Sequence, residues 1–221
     1  MSNPCVLVVV MALATSPLAL AQQALPAGPF GIQNLTYSGS GCPAGTADWM
    51  LSIDGQVFNV TFWDFLAHAC PTCSAADSQK RCDITFDLLV PPGYTFAVAS
   101  VNTLGYVDLD AKNIAELYVA LDHEGLTKQN KHGKLQHAQK HKYRQSGLTD
   151  IFETDLVKDQ AKIWSYCGKT TRVTLSTSIL ADAKLGGEAV IGLDNQDGTL
   201  PATPANTIEF AWKKCPAGQV R

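Results

Sequence analysis

Charge is scarce in this 221-residue chain. Asp, Glu, Lys and Arg make up 17% of it, below the quarter or so usual in soluble domains. With 17 Lys and Arg against 20 Asp and Glu, it lacks the basic excess that a nucleic-acid-binding domain presents, so no nucleic acid is expected as a partner. Beyond the N-terminal segment no stretch approaches the ~20 apolar residues of a bilayer-spanning helix, so no transmembrane segment is expected. The Gly-x-Ser-x-Gly elbow of an esterase and the His-Glu-x-x-His pair of a metalloprotease are both absent. A copper-dependent polysaccharide oxidase uses a histidine at the mature N-terminus, and none stands where processing would expose one. No cofactor motif is present, and no cofactor is expected. A long amphipathic helical pattern is missing too.

What is there begins with a targeting signal. The first 21 residues carry no charged side chain; an apolar run from Val6 to Leu13 leads to Ala19-Leu20-Ala21, a small-x-small cleavage pattern. This reads as a secretory signal peptide over 1–21, with Gln22 the first mature residue and a secreted, extracellular protein as the product. Residues 22–221 then read as one domain.

Seven cysteines become six when Cys5 leaves with the signal peptide: Cys42, Cys70, Cys73, Cys82, Cys167 and Cys215. An even set in an oxidising compartment points to as many as three disulfides, with the pairing open. Asn34-Leu35-Thr36 and Asn59-Val60-Thr61 are glycosylation sequons that fit the same compartment.

Period-two alternation dominates the mature chain. Thr46–Ile53 runs into the hairpin turn Asp54-Gly55, and Gln56–Phe65 returns with Phe58, Val60 and Phe62 on one face. The Asn59 sequon falls on the other, outward face. Ile84, Phe86, Leu88 and Val90 alternate, as do Tyr94, Phe96 and Val98, with Gly105–Leu109 a continuation or a new strand. Further strands are expected over 114–121, 162–167, 172–180, 188–193 and 207–214, with short helices at 64–69 and 134–143. The expected fold is all-β, a disulfide-stapled antiparallel sandwich of jelly-roll-like or immunoglobulin-like topology.

One segment departs from this composition. Asp122 to Arg144 holds six Lys or Arg, two acids and four of the five histidines, so a +4 segment offsets a body of −7. It reads as a long basic loop, partly helical, whose Lys128, Lys131, Lys134, Lys140, Lys142 and Arg144 suit a polyanion such as an acidic glycan. Were 134–143 helical, His137 and His141 would share a face and, with His132, could hold a metal. A solvated loop is the plainer expectation.

Several motifs together resemble one family. Gly39-Ser40-Gly41-Cys42-Pro43 precedes the first hairpin, and Cys82 opens a strand. Pro92-Gly93-Tyr94-Thr95-Phe96 and Gly105-Tyr106 with Leu109 follow. Trp164-Ser165-Tyr166-Cys167-Gly168 comes later, and Trp212 with Cys215 closes the series. From about Ile32 to Cys215 the chain resembles the secreted microbial family called domain of unknown function 4360. The resemblance implies an extracellular β-rich protein without assigned activity, with Cys42, Cys82, Cys167 and Cys215 at the family's recurring positions. Departures are the added Cys70 and Cys73, the histidine-rich basic insertion, and Tyr166 where proline is usual.

Cys70-Pro71-Thr72-Cys73 has redox-motif spacing, but its all-β surroundings lack the helix N-terminus that activates such a thiol. A structural disulfide is the expectation. With His68 the two cysteines are three ligands of a zinc site, and no fourth is evident nearby in sequence. Trp49, Trp63, Tyr37, Tyr94 and Tyr106 would form a sugar-stacking platform if exposed together. The function expected is non-enzymatic binding or structural contact at the cell surface or wall, with cell-wall polysaccharide or acidic glycan as partner. The alternatives are an extracellular hydrolase with carboxylates placed by the fold, or an effector or inhibitor acting through the basic loop.

Overall fold

Alternating side chains build two sheets whose apolar faces meet. In a computed structural model, residues 31–110, 112–123, 137–144, 148–157, 162–184, 186–193 and 204–216 are described. Among them the regular elements are all strands. In chain order these are β1 (Ile32–Ser38), β2 (Ala47–Leu51), β3 (Val57–Phe62), β4 (Leu66–Ala69), β5 (Gln79–Leu88) and β6 (Tyr94–Leu109). They continue as β7 (Ile114–His123), β8 (His137–Tyr143), β9 (Leu148–Asp155), β10 (Thr171–Asp182), β11 (Ala189–Gly192) and β12 (Asn206–Lys214). One sheet runs β1-β5-β10-β7-β8. The other runs β2-β3-β12-β6-β11-β4, with β9 paired to β6, and every pairing is antiparallel.

The all-β sandwich expected from sequence is the fold observed. Phe58, Phe62, Phe86, Leu88, Phe96, Leu121, Leu175 and Ile179 are fully buried between the sheets. Three aromatic contacts cross the interface: Phe58 to Phe86, with ring centroids 4.6 Å apart, Phe96 to His123 at 5.5 Å, and Tyr143 to Phe152 at 4.8 Å. Burying one such ring stabilises by roughly 1.5–3 kcal/mol. Gly105 makes room for Phe152, since a Cβ there would lie 2.4 Å from the ring.

Several local expectations are corrected. Segment 64–69 is not helical but contains β4, and 134–143 contains β8; too short for a stable helix alone, each gains backbone partners by joining a sheet. The supposed loop 122–144 is therefore bounded by strand at both ends, with residues 124–136 outside the described ones. The strand expected at 162–167 is a single bridge between Trp164 and Ala97. Gly105–Leu109 continues β6, a 16-residue strand. β1 and β9 had no strong alternation to reveal them.

The six cysteines pair as Cys42–Cys82, Cys70–Cys73 and Cys167–Cys215. Cys42 and Cys82 are each 1% exposed and tie the chain before β2 to β5. Cys167–Cys215 fastens the segment after the Trp164 bridge to the end of β12. These two close separations of 40 and 48 residues, against 3 for Cys70–Cys73. Chain-entropy arguments then give each long closure about 4 kcal/mol and the short one about 1–2 kcal/mol. Denaturant titration is expected to show Cys42→Ala/Cys82→Ala losing the larger amount and Cys70→Ser/Cys73→Ser the smaller; equal losses would contradict this ranking.

His123 sits in the core, 2% exposed, against Phe96. Burial, reinforced by the neighbouring His137, lowers its pKa to about 4. The unfolded chain therefore binds a proton that the fold rejects, so stability falls as pH drops from 6.5 towards 4. The loss over that window should reach about 3 kcal/mol in the native chain, and be smaller by that amount in His123→Phe. Matching pH profiles for the two proteins would refute it.

Candidate functional site

The outward face of the five-stranded sheet carries a dense polar lattice. Because Cys82, Ile84, Phe86 and Leu88 point inward, Arg81, Asp83, Thr85 and Asp87 must point outward. Register extends the rows across the sheet: Asp87 opposite Arg172, Thr85 opposite Thr174, Asp83 opposite Ser176 and Ala120, and Arg81 opposite Ser178, Tyr118 and Lys140. A last row sets Gln79 beside Leu180, Glu116 and Lys142. Gln79, Arg81, Glu116, Tyr118, Lys140, Ser178 and Leu180 line a shallow depression of about 240 Å³.

Each cation of this lattice meets an acid. Arg81 Nε donates to Asp83 Oδ2 at 2.8 Å, and Arg172 Nε to Asp87 Oδ1 at 2.9 Å. Lys140 Nζ and Lys142 Nζ stand 2.7 and 2.9 Å from the two oxygens of Glu116. Hydrogen bonds from Arg172 and Asn34 lower the Asp87 pKa, and those from Lys140 and Lys142 lower that of Glu116. At Asp83 burial pushes upward but is outweighed by bonds from Arg81 and Ser176, so the net direction is down. Asp54 in the β2–β3 turn is lowered as well, chiefly by Ser52. A glycosidase needs one carboxyl held protonated near neutrality, the opposite displacement.

Lys140 and Lys142 thus stand on the outer face but are committed to Glu116, while Arg144 is exposed just past β8. Lys128, Lys131, Lys134 and His132 lie outside the described residues, as does the segment 1–21 expected to be a signal peptide. The helical premise for a metal shared by His137 and His141 does not hold, because both lie on β8. On a strand a four-residue spacing separates them by roughly 13 Å, where a helix would stack them. Both point inward with Gln139 and Tyr143, and burial lowers the His141 pKa and raises that of Tyr143.

The aromatic platform does not assemble. Trp49 and Trp63 are 42% and 48% exposed, but Tyr37 and Tyr94 pack on the core and Tyr106 lies against Gly192. Trp212 is buried and donates to Gly55 O at 3.1 Å. Trp164 is instead half-buried beneath Lys213, whose Nζ is 3.7 Å from its ring centroid. Asp110 is committed to the segment before β11, with Oδ2 accepting from the Glu188 backbone N–H at 2.7 Å. Tyr118, the exposed ring nearest the polar rows, carried no sequence signal beyond its place in an alternating strand.

The second sequon residue, Asn59, does face outward, but it is half-buried mid-sheet and its Oδ1 accepts from Thr207 Oγ1 at 3.0 Å. Asn34 is exposed on edge strand β1, at a register shift where its φ is +52°.

His68, Cys70 and Cys73 do converge. Their ligand atoms lie within 4.8 Å of one another, and the cluster gains a neighbour, Glu188, that hydrogen-bonds His68 Nε2. Spacing along the chain had no means of indicating Glu188, 120 residues away.

An uncharacterized secreted protein of Arthroderma benhamiae is 23% identical over 186 residues, which cover 83% of this chain and 71% of that protein. A solved structure of TmCBM61 in complex with beta-1,4-galactotriose aligns at 10% identity over 82% of this chain and 89% of that one. Its TM-score of 0.26 is too low to establish a shared fold. The family described as Domain of unknown function (DUF4360) matches residues 29–215, and the chain belongs to that family.

Proposed function

We propose that this is a secreted, non-enzymatic binding protein that holds a neutral cell-wall polysaccharide on the outer face of its five-stranded sheet. The observation that carries the reading is the row Arg81–Ser178–Tyr118–Lys140. There an aromatic ring, 37% exposed, stands beside the Ser178 hydroxyl and between two cations, Arg81 and Lys140, held in ion pairs. Sugars present apolar ring faces and many hydroxyls, which suit a stacking aromatic among oriented donors and acceptors. The four cations of this face are paired with three acids, Asp83, Asp87 and Glu116, so little net charge is left to hold an acidic glycan and the surface favours uncharged ones. On this face the carboxyls of Asp83, Asp87 and Glu116 are held ionised by their donors, which suits fixed hydrogen-bond acceptors for sugar hydroxyls.

The signal segment, with cleavage after Ala21, and the disulfides support secretion. Asn34, exposed at a sheet edge with its Nδ2 donating to Asp87 Oδ2 at 2.8 Å, is the more accessible of the two sequons. On a glycan array and in cell-wall pull-down, the mature protein is expected to retain neutral polysaccharide with little sensitivity to salt. Tyr118→Ala should weaken retention by roughly three- to tenfold with the fold intact. Unchanged retention in Tyr118→Ala, or binding only to acidic polymers and abolished by salt, would refute the assignment.

A further inference from the structure

The cluster at β4 has a design that a plain local disulfide does not require. Pro71-Thr72 turns the chain, with Cys73 N–H donating to Cys70 O at 3.2 Å, so both sulfurs emerge on one side. His68 arrives from β4, and Cys73 Sγ is 3.7 Å from each of its ring nitrogens. Behind the imidazole stands Glu188, bonded to Nε2, so Nδ1 is the ring nitrogen left to take a ligand.

The position of Glu188 is itself built. Val190 pairs with His68 across β11 and β4, setting the two elements in register. Asn113, 1% exposed, donates through Nδ2 to Gly186 O and Glu188 O, each at 3.0 Å. Asp110 Oδ2 accepts from the Glu188 N–H. The carboxylate is therefore delivered to His68 by a pinned segment and not by a free side chain at the surface.

Two thiolates and an imidazole are a recurrent ligand set for zinc, with a fourth position left for water or a substrate atom. Ligands 2.0–2.3 Å from a tetrahedral ion stand about 3.3–3.8 Å from one another, so the Cys73–His68 spacing already fits. A ligating histidine almost always donates its other N–H to a carboxylate, which fixes its tautomer and raises its basicity. Glu188 occupies that place. The sulfurs and the imidazole are partly exposed, so a reductant and an ion can both reach them.

We propose that His68, Cys70 and Cys73, with Glu188 orienting the histidine, form a site for zinc or a similarly soft divalent cation that the Cys70–Cys73 disulfide keeps closed and a dithiol reductant opens. The dithiol supplies two electrons and two protons. The Cys70–Cys73 bond breaks to two thiols, and the reductant's sulfurs join as its own disulfide. The cation then binds both sulfurs as thiolates and the two thiol protons leave to solvent. This site lies on the other sheet from the polysaccharide face and stands or falls independently of it.

The test uses the full mature chain treated with a dithiol without oxygen, with alkylation and mass mapping to confirm that residues 70 and 73 have opened. After the reductant is removed, Co²⁺ is titrated and its thiolate charge-transfer and visible bands are recorded. One Co²⁺ per chain is expected, displaced by Zn²⁺, with none bound by the oxidised protein. Cys70→Ser/Cys73→Ser should abolish the bands, His68→Ala should remove the site or alter its spectrum, and Glu188→Gln should weaken binding by roughly 10–100-fold. Bands absent from the reduced protein, or persisting unchanged in Cys70→Ser/Cys73→Ser, would overturn the proposal. So would Glu188→Gln binding as tightly as the native chain.

Discussion

The apolar contact between the two sheets is the constraint on which the other features depend. Once Phe86 packs on Phe58 and His123 on Phe96, the side chains of β5, β7 and β10 have no freedom over which face they occupy. A one-residue slip in β5 or β7 would drive Asp83, Asp87 or Glu116 into the core, at a cost of several kcal/mol for each unpaired charge. The polar lattice outside is thus held in register by the burial inside. The face proposed to meet polysaccharide is rigid because the opposite side of the same strands is packed.

The second sheet is organised by β6. It takes β12 and then β11 along one edge and β9 with the Trp164 bridge along the other. The four residues of β11 in turn hold β4, which is how His68 comes to face Glu188. Gly192 in β11 lets Tyr106 lie close, since a Cβ there would be 2.4 Å from that ring. A long strand can therefore position a small cluster that no local sequence signal describes.

The architecture was legible wherever apolar and polar side chains alternate, as in β3, β5 and β10. It was hidden where the alternation used other chemistry. In β8 the inward side chains are His137, Gln139, His141 and Tyr143 and the outward ones are Ala138, Lys140 and Lys142, so a count of apolar residues finds no period. Segment 64–69 reads as a short helix because its strand character comes from pairing with β11, a non-local event. Cys70, Cys73 and His68 were legible as ligands by their spacing, whereas Glu188 is brought to them by topology. Lys140 and Lys142 were visible as charge, but Glu116, which pairs with both, lies on the neighbouring strand. Local composition reports which groups are available; register decides which remain free.

The central claim, that the ordered outer face of the five-stranded sheet is a carbohydrate surface, is tested most directly by amide chemical-shift mapping of the mature protein. The titrant would be a soluble oligosaccharide from whichever wall polymer it retains. The account predicts that shifts concentrate at Arg81, Tyr118, Lys140 and Ser178 and their strand neighbours. Shifts confined to the surroundings of Trp49 and Trp63 on the other sheet would contradict it.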